Sequence, residues 1–135
     1  MSATAPGTVT IPSLQAMKAA GEKSVCVVAW DYQIARIADM AGVDIVSVGD
    51  TVGINLWGQP NPLEITMDEV LVVAKAVRRG TSRALLSCDF PYGPLQEGAA
   101  AALELRFREP EGLGRFLDQG DQEQGQPSAH VVLRG

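Results

Sequence analysis

The feature that most constrains this chain is a series of apolar, β-branched runs that alternate with helix patterns. The runs are VCVVAW at 25–30, VDIVSVG at 43–49 and ALLSC at 84–88. Continuous apolar strands with helices between them are typical of parallel strands buried on both faces of a sheet. The sequence therefore predicts an α/β fold of order β-α-β-α-β, preceded by a short helix and reaching to about residue 98.

Helix boundaries follow from capping residues and glycines. The first helix is predicted to take Ser13 as its N-cap and to end at Gly21. The third opens with Thr66 and Glu69, the spacing of a capping box, and ends at Gly80. Its predicted buried face consists of Val70, Val73, Ala74 and Val77. The second helix is predicted to end at Gly42. Its predicted buried face consists of Ile34, Ile37, Ala38 and Ala41.

The remaining segments divide the chain into three parts. Residues 1–9 are predicted to be a flexible tail, residues 10–105 the folded domain, and residues 106–135 an irregular tail, disordered or out of frame. Gly- and Pro-containing loops are expected at 53–64 and 91–98, and a helix of strong formers at 99–107. Within the C-terminal tail only VVL has the character of a strand.

Composition excludes several classes of protein. The chain is 46% hydrophobic and 20% charged, which is ordinary for a globular domain. Its apolar runs are too short to cross a bilayer, which takes about 20 residues, and MSATAPGTVT lacks the features of a secretory signal. A net charge of −5 argues against a nucleic-acid partner. Cys26 and Cys88 are expected to be buried thiols, which fits a reducing cytoplasm.

An aspartate follows or closes each predicted strand: Asp31, Asp50 and Asp89. The carboxyl ends of parallel strands open on one face, where ligands bind, and converging carboxylates need a cation between them. Mg²⁺ is the natural choice, held by one or two carboxylates plus water and substrate oxygens. The alternative is that each aspartate caps a helix or turn. Both interpretations stay open for Asp31, whereas metal binding is favoured for Asp50 and Asp89.

Other polar residues near these strand ends have two interpretations each. Thr51 either holds a substrate carboxylate or is a turn hydroxyl, and Trp57 either binds a ligand or covers the core. The segment 59–61 lies in the same loop and is a further candidate. His130 is the only histidine, and its place in the predicted irregular tail argues against a catalytic role.

Four ordered blocks resemble the ketopantoate hydroxymethyltransferase family. They are TIPSLQAMKAAGE at 10–22, AWDYQIARIADMAGVDIVSVGDTVG at 29–53, ITMDEVLVVAKAVRRG at 65–80 and CDFPYG at 88–93. The wider superfamily, which includes phosphoenolpyruvate mutase and isocitrate lyase, is a weaker match to the first two blocks.

The resemblance implies the N-terminal part, about three β/α units, of a (β/α)₈ TIM barrel. The implied reaction transfers a hydroxymethyl group from 5,10-methylenetetrahydrofolate to 3-methyl-2-oxobutanoate and gives 2-dehydropantoate, on the route to pantothenate and coenzyme A. It implies Asp50 and Asp89 as Mg²⁺ ligands and as substrate contacts together with Thr51. A homo-oligomer is expected if the chain folds.

The same resemblance implies that the catalytic base is not in the matching region. A full barrel takes roughly 250 residues, whereas this chain has 135. The family's Lys and Glu block and its proposed Glu base have no counterpart in this sequence. We therefore expect impaired activity. The alternatives are a non-catalytic barrel fragment or interaction module, and a phosphoenolpyruvate mutase-like enzyme acting on carbon–carbon or carbon–phosphorus bonds.

Overall fold

The computed structural model describes residues 7–96, 116–118 and 130–133. The helices in these ranges are α1 (Ile11–Ala19), α2 (Tyr32–Met40), α3 (Val52–Trp57), α4 (Met67–Gly80) and α5 (Tyr92–Gln96). The strands are β1 (Cys26–Val28), β2 (Ile45–Val48), β3 (Leu85–Asp89), β4 (Phe116–Asp118) and β5 (His130–Leu133). None of the helices in these ranges is long and apolar enough to cross a membrane.

The strands form one sheet in the order β1-β2-β3-β5-β4. Strands β1, β2 and β3 are parallel, with Val27 opposite Val46 and Val46 opposite Leu86. The predicted α/β class is therefore confirmed, and the helices connect the parallel strands as expected. Strand β5 runs antiparallel to β3, and β4 runs antiparallel to β5.

Strands β4 and β5 come from the tail that was predicted to be irregular. Residues 130–133 include the VVL segment, but 116–118 had no strand signal in the sequence. Pairing of β5 with β3, and of β4 with β5, supplies the order that the local sequence lacks. The prediction of an irregular tail was therefore wrong for 116–118, whereas the strand character of VVL is confirmed. The helix predicted at 99–107 and most of residues 106–135 lie outside the described residues, and the domain boundaries stay predictions.

Only one face of the parallel strands is covered by helices, although burial of both faces was predicted. Val46, Val48, Leu86 and Cys88 are buried in the core shared with α2 and α4. In β1 and β2 the alternate positions are more open, and Val28 is 49% exposed. In β3 the alternate positions Ser87 and Asp89 are half-buried, whereas Leu85 is buried. Both connecting helices lie on the same side, so the other face of the sheet is left without a helical layer among the described residues.

The buried face of α2 also differs from the predicted one. Ala35, Ala38 and Asp39 are buried, whereas Ile37 is 67% exposed. The cause is close packing against α4: a Cβ atom placed on Gly80 would lie 2.6 Å from the carbonyl oxygen of Tyr32 and 3.0 Å from Ala35 Cβ. Only small side chains fit this contact, so the larger isoleucine is turned outward.

The N-terminal helix starts earlier than predicted. Thr10, not Ser13, is its N-cap, and Ser13 is the third helical residue of a capping box. Thr10 accepts the backbone N–H of Ser13 at 3.2 Å, and Ser13 Oγ accepts that of Thr10 at 2.9 Å. A serine at this position can serve either as cap or as reciprocal partner, which explains the three-residue error.

The capping box predicted for α4 is confirmed. Glu69 accepts the backbone N–H of Thr66 at 2.8 Å, and Thr66 Oγ1 accepts that of Glu69 at 3.3 Å. The bond from the Thr66 backbone, together with one that the Thr66 hydroxyl donates to the same carboxylate at 2.9 Å, holds the pKa of Glu69 below its usual value. The predicted apolar face is also confirmed, because its members are buried: Val70, Val73, Ala74 and Val77.

Two short helices lie within the predicted loops. Helix α3 begins one residue before the segment 53–64 that was expected to be irregular and extends into it, and α5 lies within 91–98. A helix of five or six residues is too short to show a 3.6-residue period. Gly58 closes α3 at φ +68°, a left-handed conformation that favours glycine.

Candidate functional site

The candidate site lies where β2 and β3 end. Asp50 comes two residues after β2, and Asp89 is the last residue of β3. Because Val48 lies opposite Cys88 in the parallel register, Gly49 and Asp89 occupy the next positions along the two strands. The fold thus brings two of the three predicted aspartates to one edge of the sheet.

Gly49 lies between the side chains of two candidate site residues, Thr51 and Asp89. A Cβ atom built on this residue would lie 3.5 Å from Asp89 Oδ2 and 3.2 Å from Thr51 Oγ1. The carboxylate of Asp89 and the hydroxyl of Thr51 therefore flank the same point. Sequence reasoning missed Gly49, since its role depends on the register between two strands that are distant in sequence.

The electrostatics of the site are those of crowded carboxylates. Partial burial and the negative charge of Asp89 raise the pKa of Asp50, whereas a hydrogen bond from the Thr51 backbone lowers it. The first two effects prevail, so ionised Asp50 is disfavoured by its surroundings. A cation between the two carboxylates would relieve this repulsion.

The negative charge of Asp89 affects the pKa of both cysteine thiols. Burial, followed by the charge of Asp89, raises the pKa of Cys88 to about 12. The same two causes raise the pKa of Cys26. Neither thiol is therefore activated as a nucleophile. Cys88 is buried as predicted, but Cys26 is exposed because, like Val28, it lies on the sheet face that no described helix covers.

Asp31 is separate from this pair and acts as a helix cap. Its Oδ1 accepts the backbone N–H of Ile34 at 2.8 Å, which makes it the N-cap of α2. The structure thus decides between the two interpretations in favour of capping.

Asp50 and Asp89 also precede short helices. Thr51, the N-cap residue of α3, makes no side-chain capping bond, so its hydroxyl is not used by that helix. The sequence pattern did not predict helices directly after these aspartates.

Residues in the segment 59–61 make hydrogen bonds within their own loop and to helix α4. Gln59 Nε2 donates to Glu69 Oε1 at 3.3 Å, and Asn61 Nδ2 donates to Glu64 Oε1 at 3.3 Å. Trp57 is 45% exposed and does not belong to the core, so the interpretation as a core cover is wrong.

The backbone of His130 lies opposite Asp89 on β5, although the sequence placed it in an irregular tail.

The carboxylates of Asp50 and Asp89 suit a hard divalent cation that keeps open coordination positions. Asp50 and Asp89 offer two carboxylates that are partly exposed, so water or a substrate oxygen has access. Mg²⁺ is commonly bound by one or two carboxylates plus such external oxygens. The described part of the chain holds no cluster of three or more His, Cys, Asp or Glu residues for a metal. Water and substrate oxygens could fill the remaining coordination positions of such an ion.

Comparison with known proteins identifies related sequences. The family model described as ketopantoate hydroxymethyltransferase matches residues 8–108. A protein of Thermosynechococcus vestitus named 3-methyl-2-oxobutanoate hydroxymethyltransferase is 47% identical over 95 residues, which are 70% of this chain and 36% of the relative. A protein of the same name from Trichlorobacter lovleyi is 39% identical over 115 residues, 85% of this chain and 41% of the relative.

A third relative extends the match toward the C-terminus. The Magnetococcus marinus protein, again named 3-methyl-2-oxobutanoate hydroxymethyltransferase, is 36% identical over 128 residues, covering 93% of this chain and 48% of the relative. That alignment must include much of 106–135, the segment for which an out-of-frame origin was considered. The chain spans less than half the length of these three relatives.

Proposed function

Because this chain belongs to the ketopantoate hydroxymethyltransferase family, we propose that it carries the cation- and keto-acid-binding part of a 3-methyl-2-oxobutanoate hydroxymethyltransferase site. The observation that carries the proposal is the convergence of Asp50, Thr51 and Asp89 around Gly49 at the carboxyl ends of β2 and β3.

The proposed overall reaction is the transfer of a hydroxymethyl group from 5,10-methylenetetrahydrofolate to 3-methyl-2-oxobutanoate, giving 2-dehydropantoate. A 2-oxo acid offers a keto and a carboxylate oxygen that can share one cation. This matches a site with two protein carboxylates and open coordination positions.

Asp50 and Asp89 would hold Mg²⁺ in this proposal. The bound ion would supply Lewis-acid stabilisation of the negative charge that develops on the keto acid. Thr51 is exposed and its hydroxyl makes no capping bond, so it is free to donate a hydrogen bond to the substrate carboxylate. Gly49 keeps the space between Thr51 and Asp89 open.

We further propose that the three parallel strands are the first units of a (β/α)₈ barrel. Helices lie on one face of the strands and the polar strand ends open at one edge, which is the arrangement of barrel enzymes. A cytoplasmic location and assembly of identical copies remain parts of the proposal. They are supported by the unpaired thiols and by the apolar side chains left exposed.

Ligand binding tests this function. Isothermal titration of the chain with 3-methyl-2-oxobutanoate is expected to show binding with Mg²⁺ and none with EDTA. 3-Methylbutanoate, which lacks the keto oxygen, is the matched control ligand and is expected not to respond to Mg²⁺. Binding of both acids with equal affinity, independent of the cation, would contradict the proposal.

A further inference from the structure

Helix α3 carries two candidate site residues at its beginning and buries little of its own surface. Thr51 is its N-cap residue, and Asp50 comes just before it. Within the helix only Val52 and Gly53 are buried, and the residues at 54–57 are exposed. The groups that pack against Val52 and Gly53 therefore fix the position of α3 and, with it, the positions of Asp50 and Thr51.

The side chain of Gln59 folds back over Gly53. A Cβ atom built on Gly53 would collide with the Gln59 amide, whose Cδ would lie 2.9 Å away, and would meet Ile65 Cβ at 3.3 Å. The backbone N–H of Gln59 also donates to the carbonyl oxygen of Gly53 at 3.1 Å. Gln59 thus contacts α3 through both its backbone and its side chain, and only glycine at position 53 leaves room for the amide.

The nitrogen end of the same amide reaches α4. Gln59 Nε2 donates to Glu69 Oε1 at 3.3 Å. Glu69 Oε2 accepts from the backbone and from the hydroxyl of Thr66 at 2.8 and 2.9 Å, so the carboxylate is fixed at the beginning of α4. The Gln59 side chain therefore connects the N-terminus of α4 to α3.

The oxygen end of the amide is buried without a hydrogen bond. Gln59 Oε1 has no partner among the described residues, although buried polar atoms are nearly always paired. Turning the amide over would not improve this, because it would set an oxygen against the Glu69 carboxylate and lose the bond from Nε2. The contacts with Glu69 and Gly53 therefore determine the orientation of the amide.

We propose that Gln59 is a positioning residue for the site at the ends of β2 and β3. Its amide braces α3 against the N-terminus of α4 and so fixes Asp50 and Thr51 relative to Asp89. The effect on ligand binding rests on the proposed cation and keto-acid site, whereas the bracing of α3 is measurable without any ligand.

Gln59→Glu tests the bracing, because it replaces the donor by a second carboxylate beside Glu69. Asn61→Asp is the matched control. Asn61 bonds within its loop, to Glu64 and to the backbone of Leu63, so this variant also sets a carboxylate beside a glutamate and adds the same charge. Amide hydrogen exchange in EDTA, followed by NMR, is expected to show loss of protection in α3 for Gln59→Glu and wild-type rates for Asn61→Asp.

Cation binding gives the functional readout. Gln59→Glu should weaken Mn²⁺ binding about 10–100-fold, as the loss of a group that orients metal ligands does, and Asn61→Asp should bind like wild type. The titrations are made at a temperature at which circular dichroism shows each variant to be folded. A purely structural role would lower the unfolding midpoint without changing the affinity of the folded protein.

The double variant Gln59→Glu/Glu69→Gln exchanges donor and acceptor. The amide at position 69 can donate to the carboxylate at position 59, and glutamine also serves at this position of a capping box. Protection of α3 and Mn²⁺ affinity should both return toward their wild-type values. Gln59→Met, which removes Nε2 without adding charge, is measured alongside in case Gln59→Glu does not fold, and it should also lower the protection of α3.

Two results would overturn the proposal: protection of α3 that the variants at 59 and 61 change equally, and a double variant that resembles Gln59→Glu in every measurement. Failure of the proposed function has a different signature. In that case the wild-type chain binds no Mn²⁺, while Gln59→Glu still loosens α3 and the double variant still restores it, which supports the bracing by Gln59.

Discussion

Asp39 is the residue through which α2 holds the beginning of β3. Its carboxylate accepts hydrogen bonds from the backbone of Ser82, Arg83 and Ala84 and from the Ser82 hydroxyl, at 2.7–3.0 Å for the shortest contact with each donor. Burial by itself would raise the pKa of Asp39, but these bonds outweigh it and the pKa is lowered. The ionised carboxylate is therefore a stabilising element at neutral pH.

We predict that Asp39→Asn lowers the free energy of unfolding by about 1–3 kcal/mol at pH 7, because the amide turns a donor toward N–H groups that need an acceptor. The folded-state pKa lies below the ordinary 3.8, so the unfolded state binds more protons. The stabilisation is present above pH 3.8 and is lost as the pH falls through the folded value.

Urea unfolding at several pH values measures this effect. The difference between wild type and Asp39→Asn should shrink below pH 3.8. Asp31→Asn is the matched control, since asparagine serves about equally well as an N-cap. A loss of stability that is the same for both variants, or independent of pH, would contradict the role of Asp39.

The convergence of the candidate site residues could be predicted from the sequence because their positions follow a general rule. Ligands bind at the carboxyl ends of parallel strands, which singled out Asp50, Thr51 and Asp89. The rule could not separate Asp31 from Asp50 and Asp89, because a capping aspartate and a metal-binding aspartate have the same sequence pattern. The hydrogen bond that Asp31 accepts from Ile34 is visible only in the structure. The part played by Gly49 depends on inter-strand register, which no local pattern contains.

Elements were predictable where local signals agree. In α4 the capping box, the apolar spacing and the final glycine all point to the same helix, and the structure agrees with them. In α2 the isoleucines dominated the apolar pattern, but the contact with Gly80 admits only alanine-sized groups. Close helix packing is a tertiary constraint, and a pattern based on hydrophobicity alone does not include it.

Gly80 gives a prediction at the scale of this helix pair. Gly80→Ala should lower the free energy of unfolding by about 1–3 kcal/mol through overpacking, even though alanine is the better helix former by about 1 kcal/mol. The new Cβ would meet backbone, which cannot rotate away. Thermal unfolding followed by circular dichroism measures the change.

Gly93→Ala provides the control, because it lies in α5 and a Cβ there would meet nothing within 4 Å. It should be neutral or stabilising. If Gly80→Ala were as stable as the wild-type chain, the close approach of α2 and α4 would not be what turns Ile37 outward.

At the scale of the whole molecule, the chain corresponds to less than half the length of the relatives that it matches. The family model matches residues 8–108, and more than half of each relative lies outside the match. We predict that the chain alone turns over at least about 10²-fold more slowly than a full-length relative, because a positioned general base contributes 10²–10⁴-fold.

Two assays check this prediction. One follows deuterium exchange at C3 of 3-methyl-2-oxobutanoate, and the other follows product formation with 5,10-methylenetetrahydrofolate, both with Mg²⁺. Rapid turnover by this chain alone would contradict the prediction and show that a base is present within it.

Cation binding by aspartate variants tests the central claim most directly. Calorimetric titration with Mn²⁺, as a substitute for Mg²⁺, is expected to show a single site in the wild-type chain and none in Asp50→Asn or Asp89→Asn. Asp50→Asn should fold at least as stably without metal, since it removes a carboxylate that burial and Asp89 disfavour. Asp31→Asn should bind the cation like wild type. Unchanged binding in both Asp50→Asn and Asp89→Asn would contradict a shared cation site at the ends of β2 and β3.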